Sequence, residues 1–260
     1  MTNEMETFPI DELKFSIGME DYVINDHIKI HLPTIGEIKA FGEDAYFSVL
    51  HMFVRKPYDI AVELDDINID YQSITDYDLF FDTITAVPVA LSRIFFGDLD
   101  FTAFEKYVDP YTGLKYLNNR NDTRIVIDEV LYRKLSHYLR YVHFISEKVE
   151  YDVGNGMAKR FLLDRMRRKK KKYLKDLALG KEKKQSVIAN MIRYCVNCNG
   201  FKYDYSTVLD LKINLLYESY YYLNHSFERD KLMSGIYHGM IEANKLKDKT
   251  VLNAVPDLHR

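Results

Sequence analysis

The sequence predicts an α+β fold in three parts: a mixed α/β unit over residues 1–158, a basic connecting helix over 159–184 and an all-helical unit over 185–260. Three observations predict it. Early runs such as "HIKIHLP", residues 27–33, alternate apolar and polar residues with the period of a half-buried strand. From residue 125 onward the apolar spacing changes to the 3.6-residue period of a helix. Between the two regimes lies "YDVGNGMAK", residues 151–159, whose two glycines and asparagine stop regular structure.

The elements follow in order. Ile28, Ile30 and Leu32 mark the first strand, and Pro33 ends it. Thr34 and Glu37 have capping-box spacing, and Ile38, Phe41, Ala45, Val49 and Phe53 then share one helical face, with Gly42 as its weak point. Thr75 or Asp76 caps a second helix in "SITDYDLFFDTI". "VPVALSRIFFGDLDF" reads as a strand ending near Gly97. "FEKYVDPYTGLKYL", 104–117, reads as a hairpin, because two aromatic runs flank the turn residues Asp109, Pro110 and Gly113. Residues 125–149 read as a helix with an apolar stripe of Val130, Leu135, Tyr138, Leu139, Val142, Ile145 and Val149. The connector is rich in helix formers up to Leu179, and Gly180 stops it. Leu162, Leu163, Met166, Tyr173, Leu174 and Leu177 interrupt its charge. "SVIANMIRYCVNCNGF" is a short helix ending near Gly200, Ser206 is expected to cap the next, and "ERDKLMSGIYHGMIEANKL" reads as the last. The small-xxx-small spacing of Gly235 and Gly239 predicts close packing of one helix against another.

Charge separates the same three parts. Residues 1–158 carry 14 Lys/Arg against 28 Asp/Glu, 159–184 carry 13 against 3, and 185–260 carry 9 against 8. The core of the basic run, Arg167, Arg168, Lys169, Lys170, Lys171 and Lys172, is the candidate partner-binding site. A helix that only tracks phosphates needs no apolar stripe, so the expectation is docking on acidic protein surface, either the chain's own N-terminal part or a partner. Nucleic acid is the weaker alternative, since few aromatic side chains interleave with the charges for stacking on bases.

The sequence offers little chemistry elsewhere. Cys195 and Cys198 form a CxxC, but zinc needs four ligands, and His225 and His238 lack the spacing to complete them. Both are expected to be ordinary, partly buried thiols replaceable by serine. His27 and His31 fall on a strand, and His137 and His143 do not share a helical face. "ELDDINID", residues 63–70, lacks the order of a calcium loop and reads as a solvated loop. No nucleophile–base constellation assembles, so no catalytic, cofactor or metal residue is predicted. No stretch approaches the roughly 20 apolar residues of a membrane span, and the acidic start lacks a signal-peptide pattern, which predicts the cytoplasm.

Two C-terminal segments, "NGFKYDYSTVLDLKINLLYESYYYL" and "DKLMSGIYHGMIEANKL", resemble the tail assembly chaperones of tailed phages that infect low-GC Gram-positive bacteria, and "IKIHLPTIGEIKAFGEDAYF" resembles the N-terminal part of the same proteins. The departures are two tryptophans that usually stand at the positions of Leu209 and near Asn253. The resemblance implies a non-enzymatic, cofactor-free late protein of the host bacterial cytoplasm. Its partners would be the tape-measure and tail-tube proteins, with self-association as a further expectation; the alternative is a structural component of the tail or virion.

Overall fold

The computed structural model describes residues 8–17, 20–146, 154–181 and 185–256. In chain order the elements are α1 (Glu12–Ile17), β1 (Tyr22–Val23), β2 (Lys29–Ile30), α2 (Ile35–Phe41), α3 (Glu43–Val54), α4 (Ala61–Asp66), α5 (Asp76–Thr83) and α6 (Val89–Phe96). They continue with β3 (Phe104–Val108), β4 (Lys115–Asn119), β5 (Val126–Ile127), α7 (Glu129–Val142), α8 (Gly156–Ala178), α9 (Val187–Asn197) and α10 (Ile213–Tyr237). The fold is α+β and mostly helical, and among the described residues the named elements after residue 185 are all helices. β1 and β2 pair as an antiparallel ribbon, and β3, β4 and β5 form an antiparallel sheet in that order.

Several helix starts follow directly from the local sequence. The Thr34 hydroxyl accepts from the Glu37 N–H at 3.1 Å, and the Glu37 carboxylate accepts from the Thr34 N–H at 2.6 Å. Thr75 and Asp78 repeat the arrangement at α5. At Gly42 the expected single helix divides into α2 and α3, with φ at +99°, a backbone that a side chain would strain. The hairpin stands as predicted: the Asp109 carboxylate accepts the N–H groups of Tyr111 and Thr112, and Gly113 turns with φ at +72°.

Five expectations are corrected. The run after Pro88 is the helix α6, not a strand. Its β-branched and aromatic residues suggest a strand by composition, but Ser92, Phe95 and Phe96 are buried at helical spacing and Gly97, at φ +60°, closes it. The helix expected from residue 125 starts at Glu129. Val126 and Ile127 pair with β4 instead, and the Asp128 carboxylate caps α7 by accepting the Leu131 N–H at 2.8 Å. Val130 is exposed, and Val149 lies outside the described residues. Ser206 caps nothing: the Asp204 carboxylate gathers the N–H groups and hydroxyls of Ser206 and Thr207 into a turn, and α10 begins after Lys212. The two helices expected at the C-terminal end are one, α10, of 25 residues. Gly235 then meets the Ile241 side chain of the returning chain, not another helix, and Gly239 makes the turn with φ at +70°.

The main core joins segments far apart in sequence. Ile38, Phe53, Phe80 and Leu135 lie in the same buried cluster as Ile188, Cys195 and Leu216. Main-chain bonds stitch the two regions together: the Ile35 N–H donates to the Leu211 carbonyl at 2.9 Å, and the Ile213 N–H to the Pro33 carbonyl at 3.0 Å. Lys212 adds its ammonium to the Leu32 carbonyl at 2.6 Å. The Leu209 carbonyl comes within 3.1 Å of where a Cβ on Gly36 would stand. A second, smaller cluster of Ala61, Val62, Leu64, Tyr71 and Leu79 is completed by Leu163 of α8.

Candidate functional site

Helix α8 carries the basic run. Asn155 starts it by accepting the Ala158 N–H at 2.8 Å, so Gly156, expected in a break, is its first residue. Leu179 and Gly180 end it, with φ at +65° for the glycine. Its 23 residues make a rod about 34 Å long at 1.5 Å per residue.

One face of this rod lies on the chain's own acidic helix. Lys159, Leu163, Met166, Arg167 and Lys170 share that face by helical spacing. The Lys159 ammonium pairs with Asp70 and sits 4.9 Å above the Tyr71 ring. Leu163 is buried among the α4 residues, and Met166 packs against the same cluster. The Arg167 guanidinium donates to Asp65 at 2.6 Å and to Asp66 at 2.8 Å, and the Lys170 ammonium donates to Glu63 at 2.5 Å. Hydrogen bonds from Lys170 and Lys159 hold the Glu63 and Asp70 carboxyls below the ordinary carboxylate range. The order of contacts makes α8 antiparallel to α4. Exposed ion pairs contribute about 0–1 kcal/mol each, whereas burying a leucine contributes about 1.5–3 kcal/mol. Leu163 therefore anchors the helix, and the charges set its register.

The six predicted site residues divide between two environments. Arg167 and Lys170 are engaged within the chain. Arg168, Lys169, Lys171 and Lys172 are exposed, and among the described residues they hold no ion pair. The sequence reading missed the receiving surface. "ELDDINID" is not a solvated loop: its first residues belong to α4, and Glu63, Asp65, Asp66 and Asp70 receive the basic helix. The available signal was the apolar set Ala61, Val62 and Leu64 alternating with those acids.

The cysteines and histidines singled out by the sequence lie on other elements. Cys195 is fully buried and its thiol is pushed up to about 11 by burial, while Cys198 is half-buried at the end of α9. Among the described residues no group of three or more His, Cys, Asp or Glu side chains is placed to hold a metal ion. His31 lies between Asp21, 2.8 Å from Nδ1, and Glu37, 3.3 Å from Nε2. His143 is buried: its Nδ1–H donates to the Leu139 carbonyl at 2.7 Å, and Nε2 accepts from the Tyr46 hydroxyl at 2.5 Å. Burial pushes its imidazole down to about 4. No helix among the described residues is long and apolar enough to cross a membrane.

No protein-family model, curated protein or solved structure matches this chain.

Proposed function

We propose that the chain is a non-enzymatic assembly protein of a tailed phage, a tail assembly chaperone that acts in the host bacterial cytoplasm. It uses α8 as an interaction arm for tail proteins, the tape measure and the tail tube. The observation that carries this reading is that α4 covers only one face of α8 and stops short of its far end, leaving Arg168, Lys169, Lys171 and Lys172 on the exposed sides of the helix, open to other molecules. A second observation supports it. Two of the three segments that resemble the chaperones, 28–47 and 199–223, are bonded to each other at the seam of Pro33 and Ile35 with Leu211 and Ile213.

The test is co-expression with the tape-measure and tail-tube proteins of the same genome, followed by size-exclusion chromatography. Wild type should co-elute with at least one of them. The chain carrying Arg168→Glu, Lys169→Glu, Lys171→Glu and Lys172→Glu should not, while its melting temperature stays close to that of wild type, because these four side chains are exposed and hold no ion pair among the described residues. Co-elution indifferent to the charge reversal would remove α8 from the reading, and absence of any complex would remove the reading itself.

The same exposed cations favour nucleic acid as a second reading. It would be supported by DNA binding at about 150 mM salt that is tighter than the roughly micromolar non-specific level and lost in the four-fold variant.

A further inference from the structure

We propose that the far half of the α8 contact face, formed by Tyr173, Leu174 and Leu177, seats an acidic amphipathic helix of a partner protein, placed end to end with α4. This deepens the reading of α8 as an interaction arm and rests on it.

The face is continuous. Lys159, Leu163, Met166, Lys170, Tyr173 and Leu177 follow one another at steps of four, three, four, three and four residues, the spacing of a coiled-coil seam. The first four positions are filled by α4 and the turn after it, with Lys159 at Asp70 and Lys170 at Glu63. There α4 runs out: it begins at Ala61, and the chain before it turns through a 3-10 turn at Pro57–Ile60. Past that point Tyr173, Leu174 and Leu177 stand 47%, 53% and 37% exposed. The seam therefore continues for about two helical turns beyond the element that covers it.

The filled half shows what the open half accepts. α4 offers Val62 and Leu64 to the apolar positions and Glu63, Asp65 and Asp66 to the cations beside them. The open half repeats that chemistry. Tyr173, Leu174 and Leu177 supply the apolar strip, and by helical period Lys169 lies on one flank, with Asp176 beside it among Lys170 and Lys172, and Lys171 lies on the other. Three apolar side chains in a row call for a helix with its own apolar stripe. A nucleic-acid backbone laid on them would lose phosphate hydration against side chains that offer it no hydrogen bond or charge. A second copy of this chain cannot present α4, whose seam is already occupied.

The probe is a fluorescein-labelled peptide of three heptads with leucine at the two seam positions and glutamate at the flanking ones. Its twin carries lysine in place of glutamate. Fluorescence anisotropy with the full chain should give saturable binding to the acidic peptide, at least tenfold weaker binding to the twin, and weakening as salt is raised. Leu174→Ser with Leu177→Ser should weaken the acidic peptide at least tenfold and leave the melting temperature unchanged, since both leucines are exposed. No saturable binding, equal binding of the twin, or indifference to the leucine substitutions would each overturn the proposal. A 20-nucleotide single strand that displaces the acidic peptide with an affinity indifferent to the same substitutions would overturn it too, and would assign the helix to nucleic acid. No phage protein enters this measurement, so its failure is separate from failure of the co-expression test.

Discussion

At His143 the interior couples to pH through one ring. Folded, the imidazole stays neutral down to about 4, held between the Leu139 carbonyl and the Tyr46 hydroxyl, which burial keeps protonated. Unfolded, it titrates near its ordinary value of roughly 6.5. Between these values the unfolded chain binds the extra proton, so stability falls as pH drops through that window, by up to about 3 kcal/mol. Urea unfolding at pH 7 and at pH 4.5 should show the loss. His143→Gln, which keeps a donor and an acceptor, should lose its share of the slope, and identical pH profiles for the two chains would refute the assignment. Cys195 gives a second prediction at this scale, and it revises the expectation that both thiols tolerate serine. Cys195→Ser places a hydroxyl in the sealed core and should cost about 1–3 kcal/mol in urea unfolding, whereas Cys198→Ser should stay within about 0.5 kcal/mol of wild type. Equal effects at the two positions would count against this packing.

Among the elements, α8 is held by one leucine more than by its charges. Leu163→Ala should weaken its docking by about 2–4 kcal/mol, because the α4 cluster loses its central contact. Trypsin should then cut within residues 167–172 faster than in wild type, while the near-ultraviolet dichroism of the main core stays unchanged. Cleavage at the wild-type rate would show that the ion pairs suffice. The far end of this element was legible, since its composition favours a helix and Gly180 ends it, but its start at Gly156 was hidden by a glycine pair that reads as a break. Its docking site was not, because an acidic stretch looks the same in solvent and beneath a basic helix. α6 failed for another reason: Ile94, Phe95 and Phe96 have the composition of a buried strand, and an eight-residue run is too short for periodicity to decide. β5 is only two residues long, so the helix that follows it hid it.

At the scale of the molecule, the sequence separates three segments and the core reunites two of them. Local signals such as caps, turns and periods carry element type. They do not carry which distant surface an apolar face meets, so the shared cluster of Leu135 with Leu216 could not be read in advance. A chain cut after residue 184 lacks Ile188, Met191, Cys195, Ile213 and Leu216 and should show no cooperative unfolding transition by circular dichroism. A sharp two-state melt of that fragment would establish residues 1–184 as self-sufficient. Gly36→Val tests the junction more gently. Its branches would press on the Leu209 carbonyl, and it should destabilise by about 1–3 kcal/mol in urea unfolding.

The bond from Lys212 to the Leu32 carbonyl spans 180 positions of the chain. Closing a loop of that length costs about 4–5 kcal/mol of chain entropy before any contact across it forms. During synthesis the delay is also one of time. At about 5–20 residues per second, strand β2 and helix α2 would wait roughly 10–40 s for the segment that completes their core to be made. In that interval Ile30, Leu32 and Ile38 face whatever else is present in the cell. The newborn chain is thus most exposed to aggregation early in translation, and slowing the ribosome between residues 40 and 210 should lower its soluble yield.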